Sequence, residues 1–198
     1  MKKIVINITL LISTLFVFGS RAVAQDWETR WLANNNPTNP NSAVWKGFSS
    51  SVYPIALASP SAILAYGYLK KDKKFQHNGW YIVGSLAVNT AITQASKYII
   101  NRNRPYIDYP NLIHPQQIEG DPSFPSGHTS TAFATATALT ITFKKWYVAV
   151  PAYAWATGVG YSRLYLGEHY PSDVLAGAIV GTGSAILCNW LNKKFFSK

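Results

Sequence analysis

Apolar residues in this chain are grouped into stretches of helical length, separated by more polar segments. Residues 4–18 form one apolar run, and five further stretches cover residues 52–69, 80–100, 127–143, 146–161 and 172–191. Each of the five is close to the about 20 residues that a helix needs to cross the hydrocarbon core of a bilayer. The pattern predicts an all-α fold, a membrane-type bundle of five core helices after an N-terminal signal or anchor.

None of the predicted helices is strongly apolar, so a soluble bundle stays an alternative. The third is rich in threonine, and the second contains Asn89 and Thr93. Small and hydroxylated residues are typical of contacts between membrane helices, but they suit a soluble bundle as well. Composition leaves both interpretations open. The mean hydropathy is only +0.02, although charged residues make up 13% of the chain, against about 25% in an average soluble domain.

The N-terminus has the features of an export signal. Lys2 and Lys3 precede the apolar run, and the small residues 22–24 that follow it are typical of a cleavage site. Residues 1–24 are therefore predicted to be a signal peptide, with an uncleaved anchor as the alternative. Residues 25–51 are predicted to be a polar, outward-facing segment, either a loop or a short helix on the surface, and residues 52–198 a helical domain.

Lysines are concentrated at one end of the predicted bundle, and they account for much of the net charge of +10. Helices threaded up and down place the following residues at that end: Lys70, Lys71, Lys73, Lys74, Lys144, Lys145, Lys193, Lys194 and Lys198. Short lysine-rich connections mark the cytoplasmic side of a membrane. Loops 101–126 and 162–171 are therefore expected to face the periplasm or the exterior from a bacterial inner membrane. Nucleic acid is not an expected partner, because topology explains these lysines and no nucleic-acid-binding motif is present.

Two groups of residues, one at each end of the first outward loop, suit phosphate chemistry. Lys97 and Arg104 lie near the end of the second helix, where two cations can hold a dianionic phosphate. The alternative, a cation that reaches the membrane surface, is our interpretation of Arg102. Ser126 precedes the third helix and Gly127 begins it, and the free N–H groups of its first turn can bind an anion. A plain helix cap is the alternative role for Ser126.

Two histidines add acid–base and nucleophilic chemistry to these groups. His128 stands at the start of the third helix, where it could protonate a departing oxygen. Arg163 and His169 lie between the fourth and fifth helices. Asp173 could accept a hydrogen bond from one nitrogen of His169 and so leave the other as a nucleophile. The alternative for Asp173 is a favourable carboxylate in the first turn of a helix.

The predicted topology brings these groups together. Short connections make neighbouring helices antiparallel, so four helix ends that carry the groups meet at one end of the bundle. Other ionisable side chains are given no direct role, with Glu168 interpreted as solvated or as a local modulator of charge, and His77 and His114 as incidental.

The groups together resemble the three-part signature of the type-2 phosphatidic acid phosphatase family, whose superfamily includes bacterial acid phosphatases and vanadium haloperoxidases. The resemblance rests on segments 97–105, 125–128 and 162–173, and no signature residue is missing. It implies a haloperoxidase-like phosphatase fold, with His169 as the nucleophile that forms a phosphohistidine, Asp173 as its orienting residue and His128 as the general acid. It also implies that the phosphate is held by Lys97, Arg104, Ser126, Gly127 and Arg163.

The resemblance implies metal-independent hydrolysis of phosphate monoesters or diphosphates. The expected substrates are lipids, such as polyprenyl diphosphate, phosphatidic acid, phosphatidylglycerophosphate or lipid A. No cofactor is expected, and Asp108, Glu119 and Asp121 lack the spacing of metal ligands. The alternatives are a soluble periplasmic acid phosphatase of broad specificity, a vanadium haloperoxidase, and a catalytically silent protein that binds lipid phosphates. The last is disfavoured because both histidines are present.

Overall fold

The computed structural model describes residues 24–195, so all but the last residue of the predicted signal or anchor, residues 1–24, lies outside the described residues, as does Lys198. The described part of the chain forms helices and connecting loops, which confirms the all-α prediction. The helices are α1 (Ala24–Asn35), α2 (Ala43–Ser50), α3 (Val52–Leu69), α4 (Lys73–Ile100), α5 (Pro105–Asp108), α6 (Gly127–Phe143), α7 (Trp146–Tyr165) and α8 (Pro171–Phe195).

The five predicted core helices correspond to α3, α4, α6, α7 and α8, and α3 and α6 have the predicted bounds. Helix α4 begins at Lys73, earlier than predicted, because the carboxylate of Asp72 accepts hydrogen bonds from two backbone N–H groups of the first turn. Helix α7 extends to Tyr165 and α8 to Phe195. Sequence periodicity therefore located the core helices but underestimated three of them at their ends.

Helix α6 is the central helix of the bundle and packs against α3, α4, α7 and α8. Four of its alanines are fully buried, namely Ala132, Ala134, Ala136 and Ala138. Small side chains let helix backbones approach one another closely. The small residues of α6 therefore set the tight spacing of the bundle.

Helices α6 and α8 make the closest of these contacts through two glycines of α8. A Cβ atom on Gly177 would lie 2.7 Å from the Ser126 carbonyl oxygen, and one on Gly181 would lie 2.1 Å from that of Ser130. The Ser126 N–H donates to the Asp173 carbonyl oxygen at 3.0 Å. The glycines thus allow the N-terminal ends of α6 and α8 to meet.

The segment 25–51 contains two helices that pack on the end of the bundle that carries the predicted signature. Helix α1 contacts α7 and α8, and α2 contacts α7. Leu32 is fully buried in an apolar cluster with Tyr106, Ile113, Leu164 and Tyr170. The amide of Asn36 donates to the carbonyl oxygens of His114 and Tyr165. This segment is therefore tied to the loops that carry the predicted signature.

Two helices in the described part of the chain, α3 and α8, are long and apolar enough to cross a membrane. Within the described residues, the lysines predicted to share one end lie in three places: the α3–α4 connection with the first turn of α4, the α6–α7 connection and the last turn of α8. These three places lie at the end of the bundle opposite the predicted signature, because successive core helices run antiparallel.

Candidate active site

The structure brings the predicted groups together around one cavity. The cavity lies where α4 and α7 end and where α6 and α8 begin. Its lining residues are Tyr53, Gln94, Lys97, Arg104, Glu119, Asp121, Gly127, His128 and His169. The predicted residues Ser126, Arg163 and Asp173 lie behind this lining.

Lys97 and Arg104 are both buried and both contact Asp121. The Lys97 Nζ atom lies 2.9 Å from Asp121 Oδ2, and the ammonium also donates to the Pro122 carbonyl oxygen. Arg104 donates to Asp121 Oδ1 at 2.5 Å and to Glu119 Oε2 at 2.7 Å. The two cations therefore meet at one place, although Arg104 follows α4 and precedes α5.

Arg163, in the last turn of α7, forms the base of this cation group. It donates to Glu119 Oε1 at 2.7 Å, to the Glu168 carboxylate and to the Ser49 hydroxyl. Glu168 is only 1% exposed, so the interpretation of this side chain as solvated is wrong. It is the buried counter-ion of Arg163. The Arg163 Nε atom is buried and has no hydrogen-bond partner among the described residues.

Glu119 and Asp121 belong to the α5–α6 loop and reach the buried cations from the solvent side. Their side chains are 22% and 41% exposed, respectively. Burial raises the pKa of Asp121, but the hydrogen bond and charge of Lys97, together with Arg104, outweigh this and lower the pKa to about 2. Burial also raises the pKa of Glu119, and the charges of Arg163 and Arg104 reverse this and lower it. Two ionised carboxylates therefore occupy the cations that a phosphate would need.

His169, in the α7–α8 connection, is 1% exposed. Its burial, followed by the charges of Arg104 and Arg163, lowers the pKa of the imidazole well below its ordinary value. The imidazole is therefore neutral at neutral pH. Its Nδ1 atom lies 3.6 Å from Asp173 Oδ2, which is longer than a hydrogen bond. The Ser123 hydroxyl lies between them, 3.3 Å from Nδ1 and donating to Oδ2 at 2.5 Å.

Asp173 is fully buried and accepts hydrogen bonds on both carboxylate oxygens. Oδ2 also accepts from the Tyr170 N–H at 2.9 Å, and Oδ1 accepts from Arg102 at 2.7 Å. The interpretation of Arg102 as a cation at the membrane surface is therefore wrong. Its guanidinium lies 3.9 Å from the centroid of the Tyr170 ring and pairs with Glu28 as well. The ionic contacts keep this guanidinium at the site.

The start of α6 places Gly127 and His128 in the cavity wall. The Ser126 hydroxyl accepts a hydrogen bond from the Thr129 hydroxyl at 2.9 Å and caps the helix. The side chain of Ser126 thus caps α6, and its predicted contact with phosphate stays a prediction. The His128 ring packs against Tyr53 of α3, with 5.1 Å between the ring centroids. His128 therefore lines the cavity beside α3.

The described residues contain no group of three or more His, Cys, Asp or Glu side chains that could hold a metal ion. Glu119 and Asp121 pair with cations instead of forming such a group. That the reaction needs no metal stays a prediction.

Among the residues whose role in the site was missed from the sequence, three hold Asp173 directly or through Arg102, namely Glu28, Arg102 and Ser123. Ser123 lies two residues before the signature segment 125–128, and Arg102 lies between two signature cations, so closeness in sequence was an available signal for both. Glu28 has no such signal. Its contacts are to residues 102 and 172, far away along the chain.

Residues 78–197, more than half of the chain, match the family described as the PAP2 superfamily. The chain belongs to the PAP2 superfamily. The matched part of this PAP2 protein contains most of α4 and all of α5 to α8, and therefore every residue of the three-part signature. Helices α1, α2 and α3 precede it.

This PAP2 protein is similar in sequence to parts of longer or comparable named proteins, as two of them show. An undecaprenyl-diphosphatase of Sulfolobus acidocaldarius is 32% identical over 125 residues, which cover 58% of this chain and 55% of the relative. A lipid A 1-phosphatase of Porphyromonas gingivalis is 31% identical over 148 residues, which cover 72% of this chain and 30% of the relative. The chain thus spans about half or less of the length of these relatives.

A solved structure confirms the fold of this PAP2 protein. The crystal structure of a transmembrane PAP2 type phosphatidylglycerolphosphate phosphatase from Bacillus subtilis matches with a TM-score of 0.71 at 20% identity, over 94% of this chain and 96% of that one. The match to a transmembrane structure and the two apolar helices α3 and α8 indicate a membrane protein.

Proposed function

We propose that this PAP2 protein is a phosphatase that hydrolyses phosphate monoesters or diphosphates of lipids, without a metal, through a phosphohistidine on His169. The observation that carries the proposal is a buried, neutral imidazole in a cavity whose walls also carry Lys97, Arg104 and the start of α6. Such a cavity attracts a phosphate dianion and offers it a nucleophile, which are the two requirements of phosphoryl transfer by this route.

The substrate phosphate binds by replacing the loop carboxylates on the cations. Its oxygens take the places of Glu119 and Asp121 against Lys97 and Arg104. Arg163 has a spare donor, because its buried Nε atom has no partner among the described residues. The free N–H groups at the start of α6 add a further anion-binding contact.

The first chemical step transfers the phosphoryl group to His169. The Nδ1–H of His169 donates towards Ser123, so Nε2 carries the lone pair that attacks phosphorus. The N–P bond forms as the bond between phosphorus and the leaving oxygen breaks. His128, whose protonated form the bound phosphate dianion favours, gives its proton to that oxygen. Asp173, which accepts from Ser123, stabilises the positive charge that develops on the imidazole.

The second step hydrolyses the phosphohistidine. His128, now neutral, accepts a proton from a water molecule, and the water oxygen bonds to phosphorus. The N–P bond breaks, inorganic phosphate leaves and both histidines return to their starting states. The same residue serves as acid and then as base, as it must when the second step reverses the bond changes of the first.

Lipid substrates are favoured by the relatives and by the position of the cavity. Both relatives described above are named for the dephosphorylation of lipids. Two cavity residues, Tyr53 of α3 and Gln94 of α4, lie on exposed parts of these helices, and Leu57, one turn from Tyr53, is 68% exposed. The lysine-rich opposite end favours a site facing the periplasm or exterior of a bacterial inner membrane.

The test is phosphate release by the purified protein in detergent with EDTA. The substrates are polyprenyl diphosphate, phosphatidic acid, phosphatidylglycerophosphate, lipid A and a water-soluble aryl phosphate. We expect release from at least one lipid, and a loss of at least about 10³-fold in His169→Ala, because the covalent step is removed.

His77→Ala is the matched control, since His77 lies at the lysine-rich end and contacts Asn192; it should keep wild-type activity. Full activity in His169→Ala would refute the proposed mechanism. Fast release from the aryl phosphate alone would support the acid phosphatase of broad specificity instead.

A further inference from the structure

The carboxylate of Glu28 is buried at the edge of the site, although it comes from α1. Its side chain is only 2% exposed. Oε2 accepts a hydrogen bond from Arg102 at 3.0 Å, and Oε1 accepts one from the Ser172 N–H at 3.0 Å. A buried carboxylate is costly unless it is paired and hydrogen-bonded. Glu28 meets both conditions. Its partners are Arg102, which contacts Asp173, and Ser172, which precedes Asp173 in the chain.

Arg102 connects Glu28 to the orienting carboxylate of the proposed reaction. Its Nη2 atom contacts Glu28, and its Nη1 atom donates to Asp173 Oδ1 and to the Ser172 hydroxyl, each at 2.7 Å. One face of the guanidinium lies against the Tyr170 ring. The planar guanidinium fixes the angle between its donors, so the position of Glu28 determines where Nη1 points.

The direction of Nη1 determines how Asp173 presents its second oxygen. Arg102 holds Oδ1, and Oδ2 is left for Ser123, for the Tyr170 N–H and, 3.6 Å away, for His169 Nδ1. A rotation of the carboxylate would separate Oδ2 from Ser123 and free the imidazole to turn. A displacement of a catalytic group by about 1 Å can lower the reaction rate by about 10²-fold.

We infer that Glu28 is a positioning residue of the phosphatase, which acts through Arg102 to hold Asp173, and through it Ser123 and His169, in the reactive arrangement. This inference rests on the proposed function. It extends the site beyond residues 78–197, the part of the chain that matches the family. Helix α1 is thereby a part of the catalytic unit.

Glu28→Gln is the informative variant because it preserves shape and removes one acceptor. A carboxylate offers two acceptor oxygens, and both are used here. A carboxamide offers one oxygen and places an NH₂ group against either Arg102 or the Ser172 N–H. We expect kcat to fall by about 10- to 100-fold, as when outer residues that orient a functional side chain are removed.

A positioning role predicts a separation between turnover and binding. Within the described part of the chain, Glu28 forms no hydrogen bond or ion pair with Lys97, Arg104 or Arg163, so KM and the inhibition constant of inorganic phosphate should change less than about twofold. The matched control is Asp72→Asn, which makes the same chemical change at the cap of α4. It should leave kcat unchanged.

The double variant tests whether Glu28 acts through Arg102. Effects of two residues in one chain of contacts are not additive, so Glu28→Gln with Arg102→Gln should lose about as much kcat as Arg102→Gln alone. Each protein is first checked for folding by thermal unfolding in detergent. Losses that multiply, or a wild-type kcat in folded Glu28→Gln, would overturn the inference.

His169→Ala, measured in the same series, separates this inference from the proposed function. Activity that depends on His169 but not on Glu28 overturns the positioning role alone. Activity that survives in His169→Ala overturns the proposed mechanism and the positioning role with it.

Discussion

Burial determines the chemistry of the residues in this site. His169 is neutral because it is enclosed and surrounded by cations, and a neutral imidazole has the lone pair that the proposed attack requires. Lys97 and Arg104 are buried as well, so they can hold a phosphate with little competition from water. Without substrate, the carboxylates of Glu119 and Asp121 form ion pairs with these cations.

Removing a loop carboxylate should strengthen the binding of phosphate. Asp121 competes for Lys97 and Arg104, so Asp121→Asn should lower the inhibition constant of inorganic phosphate about two- to fivefold, the range of a partly exposed ion pair. The measurement is inhibition of substrate hydrolysis by phosphate at constant ionic strength.

Asp108→Asn is the control for this change in charge. Asp108 lies at the same end of the molecule and accepts hydrogen bonds from Asn103 and Tyr170. It should leave the inhibition constant unchanged. Weaker inhibition in Asp121→Asn would show that Asp121 assists phosphate binding.

At the scale of helices, the site depends on how closely α6 and α8 approach. The start of α6 carries Gly127 and His128, and the start of α8 carries Asp173. The two ends are joined by the hydrogen bond from the Ser126 N–H to the Asp173 carbonyl oxygen. Small residues along both helices make this approach possible, so packing remote from the chemistry maintains its geometry.

Gly181→Ala should therefore impair both stability and turnover. The new Cβ atom would lie 2.1 Å from the Ser130 carbonyl oxygen, so α6 and α8 must separate. We expect a loss of about 1–3 kcal/mol in the free energy of unfolding, the usual cost of overpacking. We also expect the kcat of the folded protein to fall. Thermal unfolding in detergent and kinetics on the same sample measure the two effects.

Gly183→Ala is the matched control, because among the described residues no heavy atom lies within 4 Å of its Cβ position, apart from its chain neighbours and the nearby backbone of its own helix. There, the higher helix propensity of alanine should stabilise the protein by about 0.5–1 kcal/mol. An equally stable Gly181→Ala would mean that the two helices are less closely packed than the structure indicates.

At the scale of the whole molecule, charge and chemistry lie at opposite ends. The lysine-rich connections are at one end and the cavity at the other, with apolar residues exposed on the helices between them, such as Leu57 and Ile179. A membrane protein with this distribution places its lysines in the cytoplasm. The cavity would then take its substrates from the opposite side.

Labelling of single cysteines tests this orientation. In a Cys188→Ser background, Lys70→Cys marks the lysine-rich end and Ile118→Cys marks the loop at the site, where Ile118 is 81% exposed. In spheroplasts of a Gram-negative host, a membrane-impermeant maleimide should modify Ile118→Cys, and Lys70→Cys only after lysis. The opposite pattern would invert the topology.

The same samples distinguish the membrane protein from a soluble bundle. Ile118→Cys should sediment with membranes and resist extraction by salt, because apolar helices anchor the protein. Release of an active protein into the periplasmic fraction would contradict the proposed localisation.

The sequence by itself determined the helices of the core and most of the predicted site. Helices follow from local periodicity and from caps, and both are short-range. The signature residues stand at helix ends, and antiparallel threading was sufficient to bring those ends together. The helical pattern and the antiparallel threading therefore predict a common site for Lys97, His128 and His169.

Only the tertiary structure decided how these residues are partnered. The deciding contacts run across loops and between helices. Glu119 and Asp121 pair with the cations, Ser123 lies between His169 and Asp173, and Glu28 pairs with Arg102. Glu28 and Arg102 are 74 positions apart in the chain. No local pattern encodes such a pair, because it depends on where the packing of α1 against α7 and α8 places a single carboxylate.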